Sequence, residues 1–241
     1  IINESERISI ENDFINGSIN LTGARIDDII LKKYRIDLSS DSENVKFLSP
    51  KGSDSSYFAE YGWVTSNNNK IELPNANTVW KSNKSIISPE DPVVLSWDNG
   101  NGLIFKRTIS IDTEYMFSIH QTIINNTSED IILYPYGLIN RTGVPKLSGL
   151  FILHEGPIGV LNDRVKELDY DDLEDDKKIS EKSKKGWIGI TDKYWLAALI
   201  PSQESNFEGH FQSFSRGADI KFQTSYLGPQ IIIASNNQAS Y

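Results

Sequence analysis

Between residues 93 and 141 the chain alternates apolar and polar side chains in run after run. Leu103, Phe105, Arg107, Ile109 and Ile111 fall on one side of an extended chain, and Ile104, Lys106, Thr108 and Ser110 on the other. A period of two belongs to a strand with one face covered, and no helix can use it. Val93-Val94-Leu95-Ser96-Trp97 reads as the strand before it. The five residues between, Asp98-Asn99-Gly100-Asn101-Gly102, tolerate positive φ and suit a hairpin loop. Asp112-Thr113-Glu114 and Asn125 to Glu129 are further turns, setting off strands at Phe117 to Ile124 and Ile131 to Ile139. This pattern predicts an antiparallel meander of long strands.

The rest of the chain is consistent with that beginning. Residues 7–36 give short strands broken at Asn16-Gly17 and Thr22-Gly23, and Val45 to Leu48 and Tyr57 to Val64 give two more. Residues 70–92 are irregular. Phe151-Ile152-Leu153 and Ile158 to Leu161 read as a pair around a turn at Gly156-Pro157. Phe207 to Phe214, Ile220 to Tyr226 and Ile231 to Ala234 close the series. The segment 169–185, an acidic block followed by a basic one, is expected to be an exposed loop or short helix. The most apolar stretch, Lys185 to Pro201, is interrupted by Thr191-Asp192-Lys193, where a hairpin turn fits. We expect a buried hairpin there. Its second strand, Tyr194 to Ile200, should be covered on both faces and stopped by Pro201. Many short strands, regular turns and no helical periodicity predict an all-β fold. At 241 residues a large antiparallel two-sheet sandwich, one domain over 1–241, is favoured over two small ones.

Composition narrows the chemistry. The formal net charge of −9 disfavours nucleic acid, whose phosphates need a basic face. The absence of cysteine excludes disulfides, thiolate metal sites and cysteine nucleophiles. No apolar run is long enough to span a bilayer, and no signal peptide is visible. The ends, Ile1-Ile2-Asn3 without an initiator Met and Ala239-Ser240-Tyr241 after an apolar run, lead us to expect a piece of a longer protein.

Candidate catalytic groups are sparse. His120, His154 and His210 lie far apart and share no metal-ligand spacing. His154-Glu155 precedes a Gly-Pro pair, but neighbours on a strand point to opposite faces. Asp172 and Glu174 are the candidate paired carboxylates of a glycosidase. The acidic block lacks the ligand pattern of a calcium loop. Trp63, Trp80 and Trp97 could stack on sugars, although large aromatics in an all-β chain more often fill the core. From these residues alone no cofactor, metal ligand or catalytic residue is assigned.

Several blocks together resemble one family. They are Gly23-Ala24-Arg25-Ile26-Asp27-Asp28-Ile29, Tyr57-Phe58-Ala59-Glu60-Tyr61-Gly62-Trp63, Leu95-Ser96-Trp97-Asp98-Asn99-Gly100, Leu133 to Ile139, His154 to Val160, Tyr170-Asp171-Asp172-Leu173 and, most strongly, Gly186 to Pro201. In this order they resemble the first large periplasmic domain of YidC-type membrane protein insertases. Lys185 departs from the pattern where a second Gly is expected. The motif residues carried over, in a structural role only, are Gly186, Trp187, Tyr194, Trp195 and Pro201. The resemblance implies a β-supersandwich like that of galactose mutarotases. It also implies a bacterial inner-membrane protein, anchored through segments outside this chain, with this domain facing the periplasm. Accessory subunits of the Sec translocon and nascent membrane proteins are the implied partners, and a chaperone-like groove is compatible with them. A carbohydrate-binding or mutarotase-like protein of the same fold is the alternative.

Overall fold

A computed structural model describes residues 5–39, 41–66, 71–145, 154–173, 177–216 and 219–241. Among these the strands run in order as β1 (Arg7–Glu11), β2 (Ile15–Asn20), β3 (Arg25–Arg35), β4 (Asn44–Leu48), β5 (Tyr57–Val64), β6 (Lys81–Ser82), β7 (Ile86–Ile87), β8 (Val93–Asp98), β9 (Leu103–Ile111), β10 (Phe117–Asn125), β11 (Ile131–Thr142), β12 (Gly156–Leu161), β13 (Arg164–Glu167), β14 (Lys178–Ser183), β15 (Gly186–Thr191), β16 (Leu196–Leu199), β17 (Phe207–Arg216), β18 (Asp219–Leu227), β19 (Ile231–Ile233) and β20 (Asn237–Ser240). Among the described residues a 3-10 turn, Tyr170–Leu173, accompanies them. The all-β expectation holds.

The strands form three sheets. The largest has eleven strands, in the order β14-β17-β18-β11-β5-β3-β2-β1-β7, with β19 paired to β11 and β4 to β3. A five-stranded sheet runs β20-β10-β9-β8-β6, and a four-stranded sheet runs β13-β12-β15-β16. The two smaller sheets cover the large one. Arg107 of β9 reaches the carbonyls of Ala24 and Tyr61, and Leu161 and Ile188 sit against Gly209 of β17. One continuous core fills the space, with Phe105, Ile109, Ile188, Ile190 and Phe211 fully buried.

The predicted alternation in β9 is observed, with Leu103, Phe105, Arg107, Ile109 and Ile111 buried in turn. The loop before it is held by Asn99, whose Oδ1 accepts from Asn101 N and Leu103 N, with Gly100 and Gly102 at positive φ. The meander, however, stops at β10. β11 crosses to the large sheet, between β5 and β18, and β20 takes the place beside β10. The reason lies at Asn125, whose side chain donates to the carbonyls of Glu129, Ile233 and Ala234 and ties down a crossover instead of a hairpin.

Three other expectations are corrected. Gly156 and Pro157 open β12 rather than forming a turn, and Phe151 to Leu153 lie outside the described residues. Lys178 to Ser183 is strand β14, at the edge of the large sheet. Its charges are what an exposed edge carries, and from sequence they read as a solvated loop. Finally, β16 is covered on one face only. Leu199 is buried, but Leu196 is 45% exposed, and Ile200 just beyond the strand is 58% exposed.

Candidate functional site

The hairpin forms where it was expected, with β15 and β16 paired from Ile188↔Leu199 to Thr191↔Leu196. Its turn is tight, with Asp192 N donating to Trp195 O at 2.8 Å. Gly186 begins β15 at φ +128, where any Cβ would stand 1.8 Å from the carbonyl oxygen of Val160. Only glycine lets the strands meet there. Trp187 is half-buried, Tyr194 at the tip is 72% exposed, Trp195 packs edge-on against Tyr34 with ring centroids 4.5 Å apart, and Pro201 is buried just past β16.

The tip is pinned to the large sheet. Arg141 Nη1 donates to both carboxylate oxygens of Asp192, at 2.6 and 2.7 Å. Tyr57 Oη donates to Ile190 O, and Lys193 N donates to Glu155. The Arg141 guanidinium also lies over the Tyr57 ring. Burial pushes the Tyr57 and Tyr170 hydroxyls far above the usual tyrosine range, so both stay protonated. Of the two only Tyr57 donates a hydrogen bond, and the buried Tyr170 hydroxyl meets no partner among the described residues. At the root, Gln203 exchanges hydrogen bonds with Gly186 N and O.

So anchored, β16 forms one wall of an apolar seam between the two smaller sheets. Tyr115 and Met116 in the β9–β10 turn, with Phe117 at the start of β10, form the other. That turn is fixed by Asp112, whose Oδ1 accepts from Glu114 N and Met116 N, and by Asn12, whose side chain donates to the Asp112 and Glu114 carbonyls. The floor is the inner face of the large sheet, with Ile26, Ala59, Tyr61 and Ile139. Gly137 lets Tyr61 and Tyr226 close over β11, because a Cβ there would meet the Tyr226 ring at 2.5 Å. The seam holds two adjoining hollows of about 310 and 360 Å³ that share Tyr61, Met116, Phe117, Ala198 and Ile200. Among the described residues no charged side chain lines either. Met116, Leu196 and Ile200 stand exposed at its mouth.

The sequence candidates for catalysis do not converge. His120 is exposed on β10. His154 lies 3.5 Å from Asp169, a carboxylate 77% exposed, while Glu155 turns away to Lys193 N. His210 bonds Ser180 at 2.8 Å. Asp172 accepts from Asp169 N within the 3-10 turn, and Glu174 lies outside the described residues. Trp63 and Trp80 are core, and Trp97 packs on Phe105. Among the described residues no group of acids and histidines could hold a metal ion, and no helix is long and apolar enough to cross a membrane.

Comparison with known proteins identifies the lineage. Residues 7–241 match the profile of the YidC periplasmic domain. The chain belongs to that family. A membrane protein insertase YidC of Rickettsia canadensis is 45% identical over 242 residues, covering 99% of this chain and 42% of the relative. Its counterpart in Rickettsia akari is 47% identical over 238 residues, covering 97% and 42%. The chain thus spans about two-fifths of the length of these YidC relatives. Solved structures show the fold alone. A galactose mutarotase related enzyme from Lactobacillus acidophilus superposes with a TM-score of 0.56 at 8% identity, covering 97% of this chain and 94% of that one. A galactose mutarotase-like protein from Lactobacillus casei gives 0.50 at 11%, covering 97% of each. The resemblance to the YidC periplasmic domain and the supersandwich expectation both hold. The seam was not legible beforehand, because its walls come from residues about 80 positions apart; the one signal was the apolar run Tyr194 to Ile200.

Proposed function

We propose that this chain is a non-catalytic module of a bacterial inner-membrane insertase, facing the periplasm, that assists membrane-protein insertion by holding polypeptide. Accessory subunits of the Sec translocon and emerging membrane-protein chains are its partners, and the membrane anchor lies in other parts of the protein. The observation that carries this reading is the uncharged seam with Met116, Leu196 and Ile200 exposed at its mouth. Exposed apolar side chains gathered at a groove belong to surfaces that bind other macromolecules.

The fold similarity to galactose mutarotase related proteins supports the second reading, a sugar-active protein. That chemistry needs an acid and a base converging on an anomeric carbon. Here His154 pairs with Asp169, whose carboxylate is exposed, and neither lines the seam. Calorimetric titration with galactose and glucose, alongside a polarimetric assay of anomer interconversion, separates the readings. The module reading expects neither saturable binding nor acceleration; millimolar sugar binding or mutarotation would replace it with the second.

A further inference from the structure

We propose that the seam takes up an extended, uncharged segment of another polypeptide as an added strand, bonded main chain to main chain along the free edge of β16. This rests on the polypeptide-holding reading and specifies its mode.

β16 ends the four-stranded sheet and pairs with β15 alone. The bond from Asp192 N to Trp195 O sets the phase of this ladder. In an antiparallel pair hydrogen-bonded and non-bonded positions alternate, so Ile190–Ala197 and Ile188–Leu199 exchange bonds. The N–H and C=O groups of Leu196, Ala198 and Ile200 therefore point outward, and among the described residues they meet no partner. All three residues line the seam. On the opposite wall, reciprocal bonds between Gln121 and Tyr241 set the phase of β10 in the same way. Pairing with β20 covers Thr122 to Asn125, which leaves the main chain of Phe117 and Ile119 facing the seam. Two unpaired strand edges thus flank one apolar trough.

The geometry selects the occupant. A helix satisfies its own main chain and would leave both edges bare, whereas an extended segment answers them. A lining without charge disfavours segments bearing Lys, Arg, Asp or Glu, which would lose solvation without a partner. Two edge strands of this chain carry such residues and are poor matches: Arg164, Lys166 and Glu167 on β13, and Lys178, Glu181 and Lys182 on β14. Any edge strand of a second folded copy, its own β16 included, is already paired on one side and could answer only one of the two walls. The occupant is therefore a separate, extended, apolar segment of a different polypeptide.

The test uses two synthetic peptides of about eight residues alternating Val and Thr, identical except that one carries N-methyl groups on alternate amides. Strand addition predicts binding of the unmodified peptide and about tenfold weaker binding of the methylated one, the effect of losing a few net hydrogen bonds. It also predicts that the Leu196, Ala198 and Ile200 amides gain exchange protection in the complex. Ala198→Pro removes one outward N–H and no β15 ladder bond, and should weaken binding by about fivefold, less than full methylation of the peptide. Equal affinity for both peptides, without amide protection, overturns strand addition and leaves the polypeptide-holding reading standing. Binding of neither overturns both. Peptide-independent dimerisation through residues 196–200 would assign the edge to a second copy and overturn the proposal.

Discussion

At the scale of single residues, the buried charge of Arg107 is received mainly by the main chain. Arg107 is almost wholly buried, donates to the Ala24 and Tyr61 carbonyls and to Gln121 Oε1, and lies under the Trp80 ring. Burial lowers its pKa to about 10, against the pull of Tyr136 and Glu60, so it stays charged at neutral pH. Arg107→Met fills the space but strands two carbonyls, and should cost about 3 kcal/mol in urea unfolding. His210 behaves differently. Burial and Lys178 lower its pKa, and Glu208 only partly opposes them. A histidine with a lowered folded pKa gives stability that is present above its unfolded value, about 6.5, and lost as pH falls through the folded one. His210→Gln should therefore flatten the decline in unfolding free energy below about pH 6.5, measured by denaturant titration across pH. An unchanged slope would reject that role for the imidazole.

At the scale of elements, the hairpin and its anchors matter most. Gly186→Ala pushes a Cβ into the Val160 carbonyl at positive φ and should destabilise by about 3 kcal/mol or more, seen as a lower urea midpoint. Asp192→Asn breaks the paired contact with Arg141, whose side chain is 13% exposed. We expect a loss of about 2 kcal/mol, with faster amide exchange over residues 196–200 than elsewhere in the chain. Uniform exchange would show that the ion pair does not hold the hairpin over the seam. These elements also show what the sequence could convey. The hairpin, the Asn99 loop and the alternation of β9 are local, so turn chemistry and period revealed them. β11 was assigned to the wrong sheet because the choice between β10 and β5 is made by distant pairings. β14 and β20 were missed because edge strands such as Lys178–Ser183 and Asn237–Ser240 are polar by necessity.

At the scale of the whole molecule, the large sheet is a platform and the two smaller sheets are its cover. The cover does not close: the seam between β16 and β10 leaves apolar side chains and unpaired main chain in the open. Family membership gives this architecture a setting, and under the proposed function the seam is where it would hold polypeptide. The most direct test is photo-crosslinking in membranes, with a photoreactive residue at Ile200 in the seam or at Val165 on the far edge of the four-stranded sheet, where the side chain is 67% exposed. The full-length protein would carry the probe. The account predicts adducts with nascent membrane proteins or translocon subunits from position 200 and not from 165. No adduct from 200, or the same adducts from both positions, would contradict it.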